Sequence, residues 1–366
     1  MLMSGEQRAF KRLWSNPGAP MSMGCIGCPE LSVCGGQTVD GASFNCLDHC
    51  CGNPATCQIV CPDAYIYADR IREVKGLNLE TPNGPRLLID PIPPYVPMVF
   101  HGSAMEKPVE AKTIAIPLYR FFDRNGDCRF EDIQSVQDSF RLDAATKIIL
   151  SGVAQDREVE KWWKLERSGR LKAIGNLRRL GIAMVSTPNF SLIVDRPRWD
   201  DLHSMRRIVL AYNELVSAGQ PAALHVNGRT ETDFARWGDY ISGHPEVTHI
   251  AYEFTTGTRN PGRMMQHALW LTGLAAASSS RLGLLLRGGS AVSSLLAAHF
   301  DVSFIDSSPF EKAQHRQIAY LDEEGQRRWD ERRTDTGEPV DALLEENIRV
   351  SKLWFASNMP KAPLAA

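Results

Sequence analysis

The feature that most constrains this chain is a rhythm of short, apolar, β-rich runs separated by helical patterns. The runs are Leu87–Ile92, Thr113–Leu118, Thr146–Leu150, Ile182–Val185, Ala222–Val226, Thr248–Phe254, Leu282–Leu286 and Val302–Ile305. Helical spacing fills most of the intervals, as at Arg157–Leu180, Leu202–Ala218, Glu231–Ser242, Arg263–Ala277 and Ser290–His299. A helix between two strands carries the chain back to its starting edge, so the strands pair in parallel. Eight such strands are the count of a closed ring, which predicts an α/β fold of the (β/α)₈ TIM-like barrel class. A doubly wound open sheet is the competing architecture, but no glycine-rich dinucleotide fingerprint follows the first run. The stretch Glu323–Val350 is charged and reads as helix packed outside the barrel.

With 366 residues, 43% of them hydrophobic, the chain can bury a full core. Its formal net charge of −2 gives no overall attraction for nucleic acid, so such a contact needs a local basic patch. The opening residues lack an apolar core of the secretory type. The most apolar tract, Ala268–Leu286, is interrupted by a serine run and Arg281, so it reads as buried helix and strand. These features predict a cytoplasmic protein with no membrane partner.

Eight of the nine cysteines lie between Cys25 and Cys61. They are Cys25, Cys28, Cys34, Cys46, Cys50, Cys51, Cys57 and Cys61, with His49 as a further donor. In a reducing compartment clustered thiols serve as metal ligands more often than as disulfides. Eight thiols exceed one tetrahedral zinc, so two zinc sites or one iron–sulfur cluster both fit; structural zinc is the preferred reading. The segment is rich in Gly, Pro and Asn and needs such staples to fold. The expected organisation is a helix and linker (1–24), a cysteine-rich metal-binding segment (25–65), the barrel (66–325) and a C-terminal helical extension (326–366).

In a barrel of this class chemistry sits at the C-terminal ends of the strands. Five consecutive runs end in polar residues or glycines. The fourth leads into Ser186 and Asn189, the fifth into His225 and Asn227, and the sixth into Glu253. The seventh leads into Arg287, Gly288 and Gly289, and the eighth into Asp306. Glu253 and Asp306 are the candidate catalytic carboxylates. Each also has a structural reading. Asp306 precedes two serines and can cap the next helix, and Glu253 can pair with Arg229, Arg259 or Arg287. His225 alternates with apolar neighbours and reads as packed. Upstream, Arg167, Arg170 and Lys172 lie in a basic helical stretch beside Trp162 and Trp163. Such a stretch can grip phosphates and stack a base, or can be an ordinary solvated helix.

The stretch LGLLLRGGSAVSSLLAAHFDVSFIDSSPFEKAQHR (Leu282–Arg316) resembles the seventh and eighth strands of the tRNA-guanine transglycosylase superfamily. RRLGIAMVSTPNFSL resembles its fourth strand, and ALHVNGRTETDFARWGDYISGHPEVTHIAYEFTTG resembles its fifth-to-sixth unit. The likeness covers roughly half the chain. It implies that Asp306 is the carboxylate that attacks the sugar C1′. It further implies that Ser186, Asn189, Asn227, Arg287, Gly288 and Gly289 line a base pocket. The family's D-S-G-G-F-Q motif and C-terminal zinc motif are missing, and Asn189 stands where a base-reading acid is expected. The resemblance therefore implies cleavage of a base–sugar bond rather than guanine exchange in tRNA. It is nearest to the DNA-acting relatives and to phage-defence DNA glycosylases, with a modified base in DNA as the expected target. An iron–sulfur radical or redox barrel enzyme and a non-catalytic nucleic-acid-binding protein are the alternative readings.

Overall fold

The computed structural model describes residues 38–39, 42–43, 70, 72–123, 125–192, 198–255, 260–335 and 337–359. The eight clustered cysteines lie outside these residues, as do the expected N-terminal helix and linker (1–24). Thr38–Val39 pairs antiparallel with Ala42–Ser43. Among the described residues no helix is long and apolar enough to cross a membrane.

Eight parallel strands follow one another around a ring: β1 Tyr95–Pro97, β2 Thr113–Pro117, β3 Lys147–Ser151, β4 Met184–Ser186, β5 Ala222–His225, β6 His249–Glu253, β7 Gly283–Arg287 and β8 Asp301–Asp306. β8 pairs with β1 in parallel. A parallel bridge between Met98 and Ala115, with Val99 N–H donating to the Ala115 carbonyl at 3.0 Å, joins β1 to β2 and closes the ring. This is the (β/α)₈ TIM-like barrel that the alternation predicts.

One expected strand is replaced. Leu87–Ile92 is not in the sheet, and β1 lies a few residues later. Pro91, Pro93 and Pro94 lack the N–H groups that a central strand must donate. The displaced segment crosses the N-terminal end of the barrel, where Ile89 and Ile92 plug the interior and Leu88 points to solvent. A cavity of about 140 Å³ lies between it and Thr113, Lys147 and Met184, at the end opposite the strand tips.

Because side chains alternate along a strand, every other residue faces the barrel axis. One apolar residue from each strand meets there: Val96, Ala115, Ile149, Met184, Ala223, Ala251, Leu285 and Ile305. Their neighbours in sequence, such as Ile114, Leu150, Leu224, Ile250, Leu286 and Phe304, face outward into the larger core beneath the helices. These two sets of positions determine which strand-end residues face the site.

The outer layer contains α1 Ile133–Phe140, α2 Asp156–Lys164, α3 Glu166–Arg179, α4 Arg198–Ser217, α5 Glu231–Gly243, α6 Pro261–Ala275, α7 Ser293–Ala297 and α8 Ser308–Gln314. Local chemistry explains several starts. Asp132 and Thr230 form capping boxes with Ser135 and Asp233, and Asn260 caps α6 ahead of Pro261. The single helix expected over Arg157–Leu180 is two, broken where Glu166 takes φ of 53°.

The C-terminal region also differs from expectation. An antiparallel hairpin, β9 Gln317–Leu321 with β10 Arg327–Glu331, precedes α9 Asp341–Asn358. The charged stretch from Glu323 therefore begins as a turn and strand, and the hairpin straddles the expected 325/326 boundary. Asn347 of α9 holds it: its Oδ1 accepts from Ala319 N–H at 2.7 Å and its Nδ2 donates to the Gln317 carbonyl at 2.9 Å.

Candidate active site at the barrel mouth

Glu253 ends β6 with the same facing as Ala251, so its carboxyl enters the barrel mouth. Its register partner on β7 is Arg287, which faces inward two residues after Leu285. Burial pushes the Glu253 carboxyl above the usual carboxylate range; the Arg287 charge and a 3.4 Å hydrogen bond donated by Asn189 Nδ2 oppose that shift only in part. Asn189 Oδ1 in turn accepts from Asn227 Nδ2 at 3.0 Å, and Asn227 Nδ2 also donates to the Phe190 carbonyl at 2.8 Å. The structure thus brings together Asn189, Asn227, Glu253 and Arg287 from the ends of β4 to β7. Among the described residues, Asn227 Oδ1 and Arg287 Nε are buried without a hydrogen-bond partner. Of the other candidate ion-pair partners of Glu253, Arg229 bonds Asp201 at 3.0 Å, and Arg259 lies outside the described residues.

Ser186 also faces inward, but its hydroxyl is engaged. It accepts from Gly152 N–H at 2.8 Å, which ties the ends of β3 and β4 together at the mouth. Gly152, at the tip of β3, was not singled out in the sequence. A Cβ there would come within 2.4 Å of the Ser186 and Thr187 carbonyl oxygens, so only glycine lets these two loops meet. Gly288 and Gly289 have φ of 70° and 66°, and a Cβ on Gly289 would strike the Phe254 ring at 2.4 Å. Their role visible in the structure is to turn the chain tightly after Arg287 and pack on Phe254.

Asp306 requires a correction. Ile305 belongs to the barrel interior, so Asp306 faces outward with Phe304, whose ring stacks on Phe355 of α9 at 4.7 Å. Its carboxylate is buried and ion-paired with Arg327 of β10, accepts from Tyr95 Oη at 3.1 Å, and accepts from Ser308 N–H at 3.0 Å. Arg327 also donates to Ser351 Oγ at 2.7 Å and lies 4.4 Å from the Trp354 ring centre. The Tyr95 hydroxyl is pushed well above its ordinary range, first by burial and next by the Asp306 charge, so it remains a donor. Every one of these partners belongs to the barrel wall or the C-terminal layer. Asp306 ties the hairpin and α9 to the barrel and does not share the mouth with Glu253.

No family model matches the sequence, and neither does any curated protein.

Within the basic stretch the correction falls on Arg170 and the tryptophans. Arg170 is buried and forms a two-pronged ion pair with Glu214 of α4, at 2.7 and 2.8 Å, while its guanidinium lies 4.2 Å from the Trp163 ring centre. Trp162 and Trp163 are both buried, so neither is free to stack on a base. Lys172 is exposed and pairs with Asp127 at 2.9 Å; Arg167 is exposed. A basic residue in a helix can sit on either face, and here the internal face selects Arg170 for packing against α4. The eight expected metal-ligand cysteines lie outside the described residues. Among the described residues no group of three or more His, Cys, Asp or Glu side chains is gathered as a metal cage.

Proposed function

We propose that this chain is a barrel N-glycosidase that cleaves the bond between a base and its sugar in nucleic acid, with Glu253 as the working carboxylate. The observation that carries the reading is Glu253 itself: an inward carboxyl with a raised pKa, held by Asn189 beside the Arg287 cation. The likeness of the strand ends to the transglycosylase superfamily supplies the reaction class, with water activated by Glu253 in place of the direct attack on C1′ that the likeness alone would assign to Asp306. DNA bearing a modified base is the proposed substrate, and removal of such bases fits a defence against phage.

The chemistry follows from these groups. The C1′–N bond breaks with its electron pair leaving on the base, and positive charge develops at C1′. Water bonds to C1′ while Glu253 accepts its proton, which then passes to the departing base. A carboxylate made more basic by burial suits that step. The Arg287 guanidinium opposes negative charge on the leaving base, and the Asn227 amide oxygen accepts a hydrogen bond from its edge. The base must enter unstacked, from a single strand or flipped out of a duplex.

The test compares wild type with Glu253→Gln on single- and double-stranded DNA carrying modified bases, scored as free base and alkali-sensitive abasic sites. Loss of a general base lowers the rate by about 10²–10⁴-fold. Base release by Glu253→Gln at the wild-type rate, or no release by wild type on any such substrate, refutes the proposal.

A further inference from the structure

His225 ends β5 with its side chain inside the barrel, on the face of Ala223 and two residues before Asn227. It is 1% exposed, and its Nδ1 has no hydrogen-bond partner among the described residues. The backbone N–H of His225 donates to Thr187 Oγ1 at 2.8 Å, which holds the strand end in place. Small inward side chains surround the ring: Ala223 precedes it on β5, and Ala251 is its register partner on β6. Ser186, inward on β4, accepts from Gly152 N–H. Beyond the ring, toward the opening, lie the two other unpartnered buried atoms of the mouth, Asn227 Oδ1 and Arg287 Nε.

Buried polar atoms in folded proteins nearly always have partners, and exceptions require a cause. Of the fifteen such side-chain atoms among the described residues, three lie on β5, β7 and the loop between β5 and α5, gathered around Glu253, and they share one cause if a ligand supplies the missing partners. We propose that His225 is a substrate-contacting residue at the floor of the mouth, its imidazole meeting the deepest polar atom of a planar nitrogen heterocycle whose other polar edge meets Asn227 and Arg287. Burial pushes the His225 imidazole down to about 3, so at neutral pH it carries one N–H and one lone pair. That chemistry suits an uncharged ring rather than an anion. The inference rests on the reading of the mouth as a base site and deepens it, because it makes the heterocycle alone, without sugar or phosphate, sufficient for binding.

The experiment measures equilibrium binding of free adenine, cytosine, guanine and thymine, with inorganic phosphate as the control, to the full chain by titration calorimetry. Wild type binds at least one base and not phosphate. His225→Leu keeps the fold, since it places an apolar side chain in an apolar shell, and weakens the tightest base at least ten-fold. His225→Gln, which retains a donor and an acceptor, recovers most of that loss. If His225→Leu does not fold, the wild-type imidazole ¹⁵N resonances decide: the Nδ1 signal of His225 moves on adding the base. Binding of no base, equal binding by wild type and His225→Leu, or an unmoved Nδ1 signal overturns the inference. The two readings fail separately. Base binding that depends on His225 in a protein that cleaves nothing leaves this inference standing and removes the N-glycosidase. Cleavage with His225-independent binding does the reverse.

Discussion

Replacing Asp306 by Ala should cost the fold and spare the chemistry. In the structure the Asp306 carboxylate and the Arg327 guanidinium are 4% and 11% exposed, and together they join β8, β10 and α9. Removing one partner of a buried ion pair leaves the other charge buried and uncompensated, at a cost of about 3–5 kcal/mol. Arg327 would keep Ser351 and the Trp354 face, which argues for the lower part of that range. For a domain of this size each kcal/mol corresponds to about 2–4 °C, so the apparent Tm should fall by roughly 6–20 °C. The double variant Asp306→Ala with Arg327→Met should recover part of the loss, because the stranded charge goes with its partner. The assay is thermal unfolding at fixed scan rate, alongside base release measured well below the variant's Tm. An Asp306→Ala protein within about 2 °C of wild type would remove the ion pair as a stabilising element. An Asp306→Asn protein of wild-type stability that releases no base would show that the carboxylate acts in catalysis, and the outward placement argued from β8 would be wrong.

Three further outcomes can be checked. The folded-state pKa of Glu253 lies above its unfolded value, so folding favours the protonated form and the carboxylate costs stability once pH rises above about 4.5; Glu253→Gln should therefore unfold at a higher temperature than wild type at pH 7, with the difference vanishing below pH 4, while wild-type base release climbs with pH through the raised Glu253 pKa. Arg170→Glu should lower the Tm by breaking the pair with Glu214, whereas Arg167→Glu should leave the Tm unchanged and, if α3 touches DNA, reduce the salt dependence of binding by about one ion; an unchanged slope places the DNA on another face. Replacing Cys28 or Cys61 by Ser should lower the bound zinc or iron measured by atomic absorption, and full metal content in both variants would remove those thiols from the ligand set.

Much of the architecture was legible because it depends on local periodicity. Seven of the eight runs named from the sequence overlap the strands observed, since short β-rich segments between amphipathic helices have few other ways to bury both faces. The remaining one, the first run Leu87–Ile92, has a strand's composition, but Pro91, Pro93 and Pro94 move the pairing to Tyr95–Pro97. The hairpin at Gln317–Glu331 was hidden because charged residues on two exposed strands read much like a charged helix; what holds it is Asn347, many residues away in sequence.

For the site, the sequence by itself determined which residues end the strands, and hence that Asn189, Asn227, Glu253 and Arg287 lie at one end of the barrel. It could not determine which of them face the axis. A strand turns its side chains by half a revolution per residue, so a shift of one position exchanges a catalytic group for a packed one. Glu253 and Asp306 both end strands as carboxylates, yet the register that puts Ala251 inside brings Glu253 with it, and the register that puts Ile305 inside sends Asp306 out to Arg327. The same holds for Arg167 and Arg170, three residues apart on α3: contact with Glu214 on α4 buries one and leaves the other in solvent. Only the closed ring of strands and the helices packed around it decide those facings, because each depends on partners distant in the chain.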